Sequence, residues 1–232
     1  MSGALKQQDP EFVRGMFAGI SARYDLANHV LSMGIDSLWR ARAARMIAAN
    51  SPGKILDMAT GSGDLALALQ RACPQALVTG ADFCLPMLEV ARRKGVSTLV
   101  QADGLALPFA DASFDALTVA FGLRNMASWE TALREMARVL RPGGGLLIMD
   151  FAMPRAGWLA AAYRFYLHHL LPRLAGWLTG RPEAYEYLGE SIEGFPRWEK
   201  MCDLISRSGF QDTRSYSLAL GIAAIYTGTR KP

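Results

Sequence analysis

Ile55-Leu56-Asp57-Met58-Ala59-Thr60-Gly61-Ser62-Gly63-Asp64 is the stretch on which the fold turns. It begins as a short apolar run, reaches an acid, crosses two glycines and enters the helical spacing of Leu65 to Cys73. A strand, a tight turn and a helix in that order form the first unit of an alternating chain. Outward from it the rhythm repeats. Leu77 to Gly80 is a second apolar run, followed by a helix through Met87, Leu88 and Ala91. Thr98 to Val100 is a third, and Phe114 to Phe121, rich in Thr, Val and Phe, a fourth. Trp129, Leu133, Met136 and Leu140 make one stripe with Arg134, Glu135 and Arg138 opposite, which predicts a helix over 129–140. Arg141-Pro142-Gly143-Gly144 stops it, and Leu146 to Met149 is a fifth strand. Strands alternating with helices at this spacing predict an α/β fold with a parallel sheet covered on both faces.

The flanks differ from this core. Phe12 to Asn50 reads as helical, with Phe12, Met16 and Ile20 at four-residue spacing, and predicts an N-terminal flap over 1–50. Ser51-Pro52-Gly53 separates it from the main domain, 51–232. After the fifth strand an inserted cover is expected over about 155–208, helical around Glu183 to Ser208, before an apolar final strand, Ala219 to Thr229. The part of the insert up to Gly180 has its own chemistry. No acid occurs between Asp150 and Glu183, only Arg155, Arg164, Arg173 and Arg181, among them Trp158, Tyr163, Phe165, Tyr166 and Trp177. Arginines among aromatics suit a surface that rests on anionic lipid and admits an apolar substrate. They equally suit a lid or a homodimer contact that packs its aromatics inward.

Composition narrows the function. Of 232 residues, 51% are hydrophobic and 20% charged, enough for a sizeable core and against disorder. The net charge of +4 is too small and too scattered to predict a nucleic-acid partner. Cys73, Cys84 and Cys202 are an odd set without a C-x-x-C pair, so they read as reduced thiols and no metal site is expected. Met1 to Pro10 lacks the apolar centre of a signal peptide, and no run of about 18 apolar residues follows, so a cytoplasmic protein is expected, in contact at most with the membrane surface.

In a parallel sheet of this type, ligands bind beyond the carboxyl ends of the strands. The first three strand ends carry Asp57 before Gly61-Ser62-Gly63, then Asp82-Phe83, then Asp103-Gly104. Gly61-x-Gly63-x-x-Ala66 with Asp82 matches a dinucleotide fingerprint. Yet Asp57 and Asp64 put negative charge where a pyrophosphate needs bare N–H groups. A ligand carrying an ammonium and a sulfonium tolerates those acids better, which favours S-adenosylmethionine (SAM) over NAD. The plainer reading of the glycines, an ordinary turn, leaves three successive strand-end acids unexplained.

With Ala81-Asp82, Leu107-Pro108-Phe109, Phe114-Asp115 and Arg138-Val139-Leu140-Arg141-Pro142-Gly143-Gly144 added, the chain resembles class I SAM-dependent methyltransferases. More selective are Tyr24-Asp25-Leu26-x-Asn28, Leu31-Ser32-x-Gly34, Trp39-Arg40, Phe121-Gly122-Leu123-Arg124-Asn125, Leu171-Pro172-Arg173 and Tyr185-x-Tyr187-Leu188-x-Glu190-Ser191-Ile192. These resemble the quinone-biosynthesis C-methyltransferases, which act on demethylmenaquinol and on methoxy-polyprenyl-benzoquinol, over about residues 12 to 230.

The resemblance implies a Rossmann-like, mostly parallel seven-stranded sheet, SAM as cofactor and a prenylated quinol as substrate. It places SAM contacts at Ser62, Asp82, Asp103, Gly104 and Ala120, alongside Asp57, Gly61, Gly63 and Phe83. Ser62 stands where the family often has Thr, Asp103 where it has Asn, Ala120 where it has Ser, and Thr60-Gly61 where Gly-Gly is frequent. For the transfer, Arg124 is expected to orient a quinol oxygen with Asn125 donating nearby; a guanidinium is too weak a base to take the proton itself. Tyr185, Tyr187, His169 and Asp150 are the candidate substrate contacts. Each has a plainer reading: Arg124 as a salt-bridged loop residue, Asp150 as a loop cap, the tyrosines and His169 as packing. The competing functions are methylation of another apolar small molecule and non-catalytic lipid binding on the same fold.

Overall fold

The computed structural model describes residues 34–171 and 183–232. The expected helical spacing of Phe12, Met16 and Ile20, the motif around Tyr24, and Arg173 and Trp177 of the insert lie outside the described residues. Helix α1 (Asp36–Ala48) enters strand β1 (Lys54–Met58), and then α2 (Asp64–Ala72), β2 (Leu77–Asp82), α3 (Leu85–Lys94) and β3 (Thr98–Gln101) alternate as expected. β4 (Phe114–Ala120), a short 3-10 turn (Leu123–Asn125), α4 (Trp129–Val139) and β5 (Leu140–Phe151) continue the pattern. There follow α5 (Gly157–Phe165), which runs into a π turn (Tyr166–Leu170), then α6 (Glu183–Gly194), α7 (Glu199–Arg207), β6 (Phe210–Leu218) and β7 (Ala223–Arg230).

The seven strands form one sheet in the order β3-β2-β1-β4-β5-β7-β6. β1 to β5 are mutually parallel, while β7 runs antiparallel to both β5 and β6. Consecutive strands step outward from β1 to β3 and then jump back to β4, so the strand order reverses between β1 and β4, where a crevice opens. One layer of core contains Trp39, Ala43, Ala44 and Ile47 of α1 together with Leu65 and Leu69 of α2. The other contains Leu133 and Met136 of α4 with Met201 and Ile205 of α7. The predicted stripe on α4 is therefore its core face, and Ser128 caps the helix by accepting the Thr131 N–H at 3.2 Å.

Three expectations are corrected. β5 begins at Leu140, which pairs with Phe114; the ladder then shifts and resumes at Gly145 opposite Ala116, so the Arg141–Gly144 stop signal is a bulge inside a strand. The helical stretch expected around Glu183 to Ser208 is two helices. They are split at Pro196 and at Trp198, whose φ of 56° no helix accommodates and whose N–H donates to the Tyr226 hydroxyl at 3.1 Å. Finally, β6 was not among the strands read from apolar runs. It is an edge strand whose Gln211, Asp212, Arg214, Ser215 and Ser217 dilute the apolar signal, and a register shift between Gln211 and Arg214 breaks its alternation. The final strand accordingly starts at Ala223, after a 3-10 turn at Ala219–Gly221.

Candidate active site

The strand-end loops enclose a cleft of about 450 Å3, within the size range of small-molecule sites. Its floor is the turn between β1 and α2. Gly63 caps α2 with φ of 84°, and a Cβ there would lie 2.6 Å from Val96 Cγ2, so only glycine lets α2 seat against the α3–β3 connection. Gly61 has φ of 56° and lines the cleft itself.

The three strand-end acids are held differently. Asp57 is buried and accepts hydroxyl protons from Thr60 at 2.6 Å and Thr118 at 2.7 Å. Burial lifts its pKa to about 6, against the pull of those two hydroxyls and of the Arg40 charge. Asp82 accepts the Gly61 N–H at 2.8 Å on one oxygen and the Cys84 N–H at 2.9 Å on the other. It thus ties the β1 loop to the β2 loop, and burial raises its pKa against those N–H donors. Asp103 accepts the Leu105 N–H at 2.9 Å, closing its own turn at the cleft rim.

Most of the sequence candidates meet here. Asp57, Gly61, Ser62, Asp82, Phe83, Asp103, Gly104, Ala120 and Asn125 all line the cleft. Gly63 stands behind it, as the helix cap. Two groups of candidates are placed elsewhere. Arg124, 3% exposed, turns inward: its guanidinium donates to Asp150 at 2.6 Å and to the Phe121 carbonyl at 2.8 Å. Asp150 is fully buried, so it is the counter-ion of Arg124 and not a cleft wall. Burial pushes the Asp150 carboxyl up and the guanidinium pulls it back. His169 lies on the exposed side of the π turn, its ring 4.9 Å from that of Phe165. Tyr185 and Tyr187 belong to α6, and their side chains lie outside the described residues.

Some cleft residues were missed. Arg40, Met87, Leu105 and Met126 also line it. Trp39-Arg40 was visible as a motif, but nothing in the sequence places α1 over the end of β4. Met87 reads from the sequence as a helix residue and Met126 carries no signal of its own; only the packing of α3 and of the turn after β4 brings them together.

The donor set fits SAM. The carboxylates lining the cleft are acceptors of the kind that an ammonium and ribose hydroxyls need. Thioether and aromatic side chains of Met87, Met126 and Phe83 offer soft, apolar walls. Gly104 keeps the rim open, since a Cβ there would approach Met126 Cε to 3.1 Å. Fold and cleft together define a class I SAM-dependent methyltransferase. A SAM-dependent methyltransferase of Thermotoga maritima shares this fold with a TM-score of 0.68 at 19% identity, over 94% of this chain and 99% of that one. Human N-acetylserotonin methyltransferase, solved with SAM, shares it with a TM-score of 0.60 at 16% identity, over 87% of this chain and 55% of that one. The sequence matches the ubiE/COQ5 methyltransferase family over residues 4–230, and the chain belongs to that family. Among its relatives is a demethylmenaquinone methyltransferase of Thermus thermophilus, 47% identical, covering 93% of this chain and all of that one. Another demethylmenaquinone methyltransferase, from Deinococcus radiodurans, is 44% identical over 97% of this chain and 95% of its own. A ubiquinone/menaquinone biosynthesis C-methyltransferase of Bdellovibrio bacteriovorus is 42% identical, over 96% and 97% respectively.

If Asp57 holds the SAM ammonium, cofactor binding depends on pH: with the carboxyl pKa at about 6 in the free protein, SAM affinity is expected to fall about ten-fold between about pH 7 and about pH 5 as that carboxylate is protonated. The folded free protein responds in the opposite sense. A carboxyl that holds its proton more tightly folded than unfolded stabilises the fold fully below the unfolded value, near pH 4, and loses that contribution, about 3 kcal/mol, as pH rises through about 6. Titration calorimetry across this range checks the affinity, with Asp57→Asn as the control that flattens the profile; a wild-type Kd that does not move would contradict the assignment.

Proposed function

We propose that the chain methylates a ring carbon of a reduced prenylated quinone, converting demethylmenaquinol to menaquinol. The observation that carries this is the mixed lining of one cleft, which Asp57, Asp82 and Asp103 share with Phe121, Gly122, Met126 and Ala127. The names of the relatives supply the acceptor class, and the apolar part of the lining suits a fused ring carrying a prenyl tail.

SAM, when bound, supplies a methyl group on a positively charged sulfur. The residues of this chain then have to position the acceptor and keep water out. A quinol hydroxyl that gives up its proton raises electron density on the neighbouring ring carbon, which attacks the methyl; loss of the ring hydrogen restores aromaticity, so one proton is released per methyl transferred. Asn125, which lines the cleft and donates to the Phe121 carbonyl at 3.4 Å, would hydrogen-bond the quinol oxygen. Arg124 acts from behind as a positioning residue. Its bond to the Phe121 carbonyl holds Phe121 at φ of 57°, a conformation that a side-chain-bearing residue keeps only under restraint. The experiment is incubation of the protein with SAM and either demethylmenaquinol or the methoxy-polyprenyl-benzoquinol, followed by mass spectrometry. Gain of one methyl on the naphthoquinol is expected; methylation of the benzoquinol alone would reassign the acceptor, and of neither would sink the reading.

The same proposal places the substrate's tail at a lipid surface. Among the described residues no helix is long and apolar enough to cross a membrane. Helix α5 nevertheless buries none of its residues and leaves Trp158 75% and Phe165 55% exposed, with Arg155 and Arg164 alongside. Running the assay with the quinol in anionic vesicles extends the test: the protein should float with them at low salt, and a dimer in place of co-flotation would assign this face to a second copy.

A further inference from the structure

We propose that Arg40 binds the carboxylate of the SAM amino-acid group, forming with Asp57 a two-sign clamp for that zwitterion. The inference rests on the cofactor reading and adds to it a residue carried by α1. Among the described residues lining the cleft, Arg40 is the single cation, facing Asp57, Asp64, Asp82 and Asp103. A ligand with an ammonium, a sulfonium and one carboxylate gains from those acids with its two cationic groups. Its carboxylate, however, would be repelled unless a positive group stood where the amino-acid end lies.

Arg40 lines the cleft and is held there. Trp39, the residue before it, is buried with its ring 6.4 Å from that of Phe121 and 6.5 Å from that of Phe151. This anchors α1 over the ends of β4 and β5. The Arg40 guanidinium then lies 5.4 Å from the Phe121 ring centroid, and one of its nitrogens donates to Asp36, a turn back on α1. A guanidinium has five N–H donors in a rigid fork, and a carboxylate matches two of them at once. Its charge is also felt at Asp57, another residue of the cleft lining. No sequence pattern shows this pairing, because residues 40 and 57 are joined only through the packing of α1 on the sheet.

The test is calorimetry at about pH 8 with two ligands, SAM and decarboxylated SAM, which keeps the ammonium and the sulfonium and lacks only the carboxylate. Wild-type protein is expected to bind SAM about ten- to hundred-fold more tightly, the range of a charge-assisted hydrogen-bonded pair. In Arg40→Met that preference should fall to near parity, with the affinity for decarboxylated SAM within about two-fold of wild type. The melting temperature of the free protein should drop, because the buried Asp36 carboxylate loses its guanidinium partner, so both proteins are compared at a temperature where each is folded. Equal binding of both ligands by wild type overturns the Arg40 assignment while leaving the cofactor reading in place, and needs no variant. An undiminished preference for SAM in Arg40→Met overturns it as well, as does a variant with normal SAM binding and slowed turnover, which would move Arg40 to the acceptor. Binding of neither ligand by wild type overturns the cofactor reading and the clamp together.

Discussion

Asp150→Ala is expected to lower the free energy of unfolding by about 3–5 kcal/mol, the loss typical when one partner of a buried ion pair is removed. The Arg124 guanidinium would keep its charge, since no pH the protein survives removes it, and would sit among Phe121, Leu123 and Phe151 with its 2.6 Å partner gone. The pair also ties the end of β5 to the turn after β4, because Asp150 accepts the Arg124 backbone N–H at 3.4 Å and the Phe151 N–H at 2.9 Å as well. For a chain of this length the midpoint of thermal unfolding should drop on the order of 10 °C. The double variant Asp150→Leu with Arg124→Met removes both charges and should recover much of the stability. It should not recover turnover, because the Phe121 carbonyl loses its 2.8 Å donor and keeps the longer one from Asn125 at 3.4 Å; kcat is expected to fall with the SAM KM little changed. Urea denaturation with linear extrapolation and steady-state kinetics check the two halves. A single variant within about 1 kcal/mol of wild type would show that the pair contributes little.

Asp82→Ala is expected to weaken SAM binding about a hundred-fold or more, and Asp82→Asn at least about ten-fold. The reason lies in where its oxygens already point. One accepts Gly61 N–H and the other Cys84 N–H, so the carboxylate shapes the two loops before any ligand arrives. Alanine leaves both N–H groups without their acceptor and frees the glycine turn to move. Asparagine has one oxygen and one NH2 group, so it must set a donor against one of those donors. The stability cost should stay smaller than for Asp150→Ala, since the groups left without an acceptor are neutral N–H donors and no buried charge loses its counter-ion. Calorimetry with SAM and with its demethylated product measures the effect. Asp82→Asn with wild-type affinity would place the ribose contact elsewhere.

What was legible in the chain follows from short-range physics. Gly61 and Gly63 were readable because a turn at positive φ before a helix calls for glycine, and the structure gives φ of 56° and 84° there. Asp57, Asp82 and Asp103 were readable because a strand ending in a parallel sheet puts its last side chains at the crevice. Even Arg138, seen only as part of a motif, has a local logic: it donates to the Leu107 and Phe109 carbonyls at 2.9 and 2.8 Å, fastening the loop that holds Leu107-Pro108-Phe109. β6 was harder, because an edge strand with a bulge need not alternate.

The order of elements from β1 to β5, the parallel core and the acid-lined cleft were therefore determined by the sequence alone, through periodicity, turn chemistry and strand-end position. The direction in which Arg124 points, the burial of Asp150 and the arrival of Arg40 beside Asp57 were decided only by tertiary packing. Each depends on which of two neighbouring surfaces a long or charged side chain meets, and that is set by residues distant in the chain: Asp150 for Arg124, 26 residues on, and Phe121 and Phe151 for the helix that carries Arg40. Charge placed in a folded interior is governed by its partners, and partners are a property of the fold.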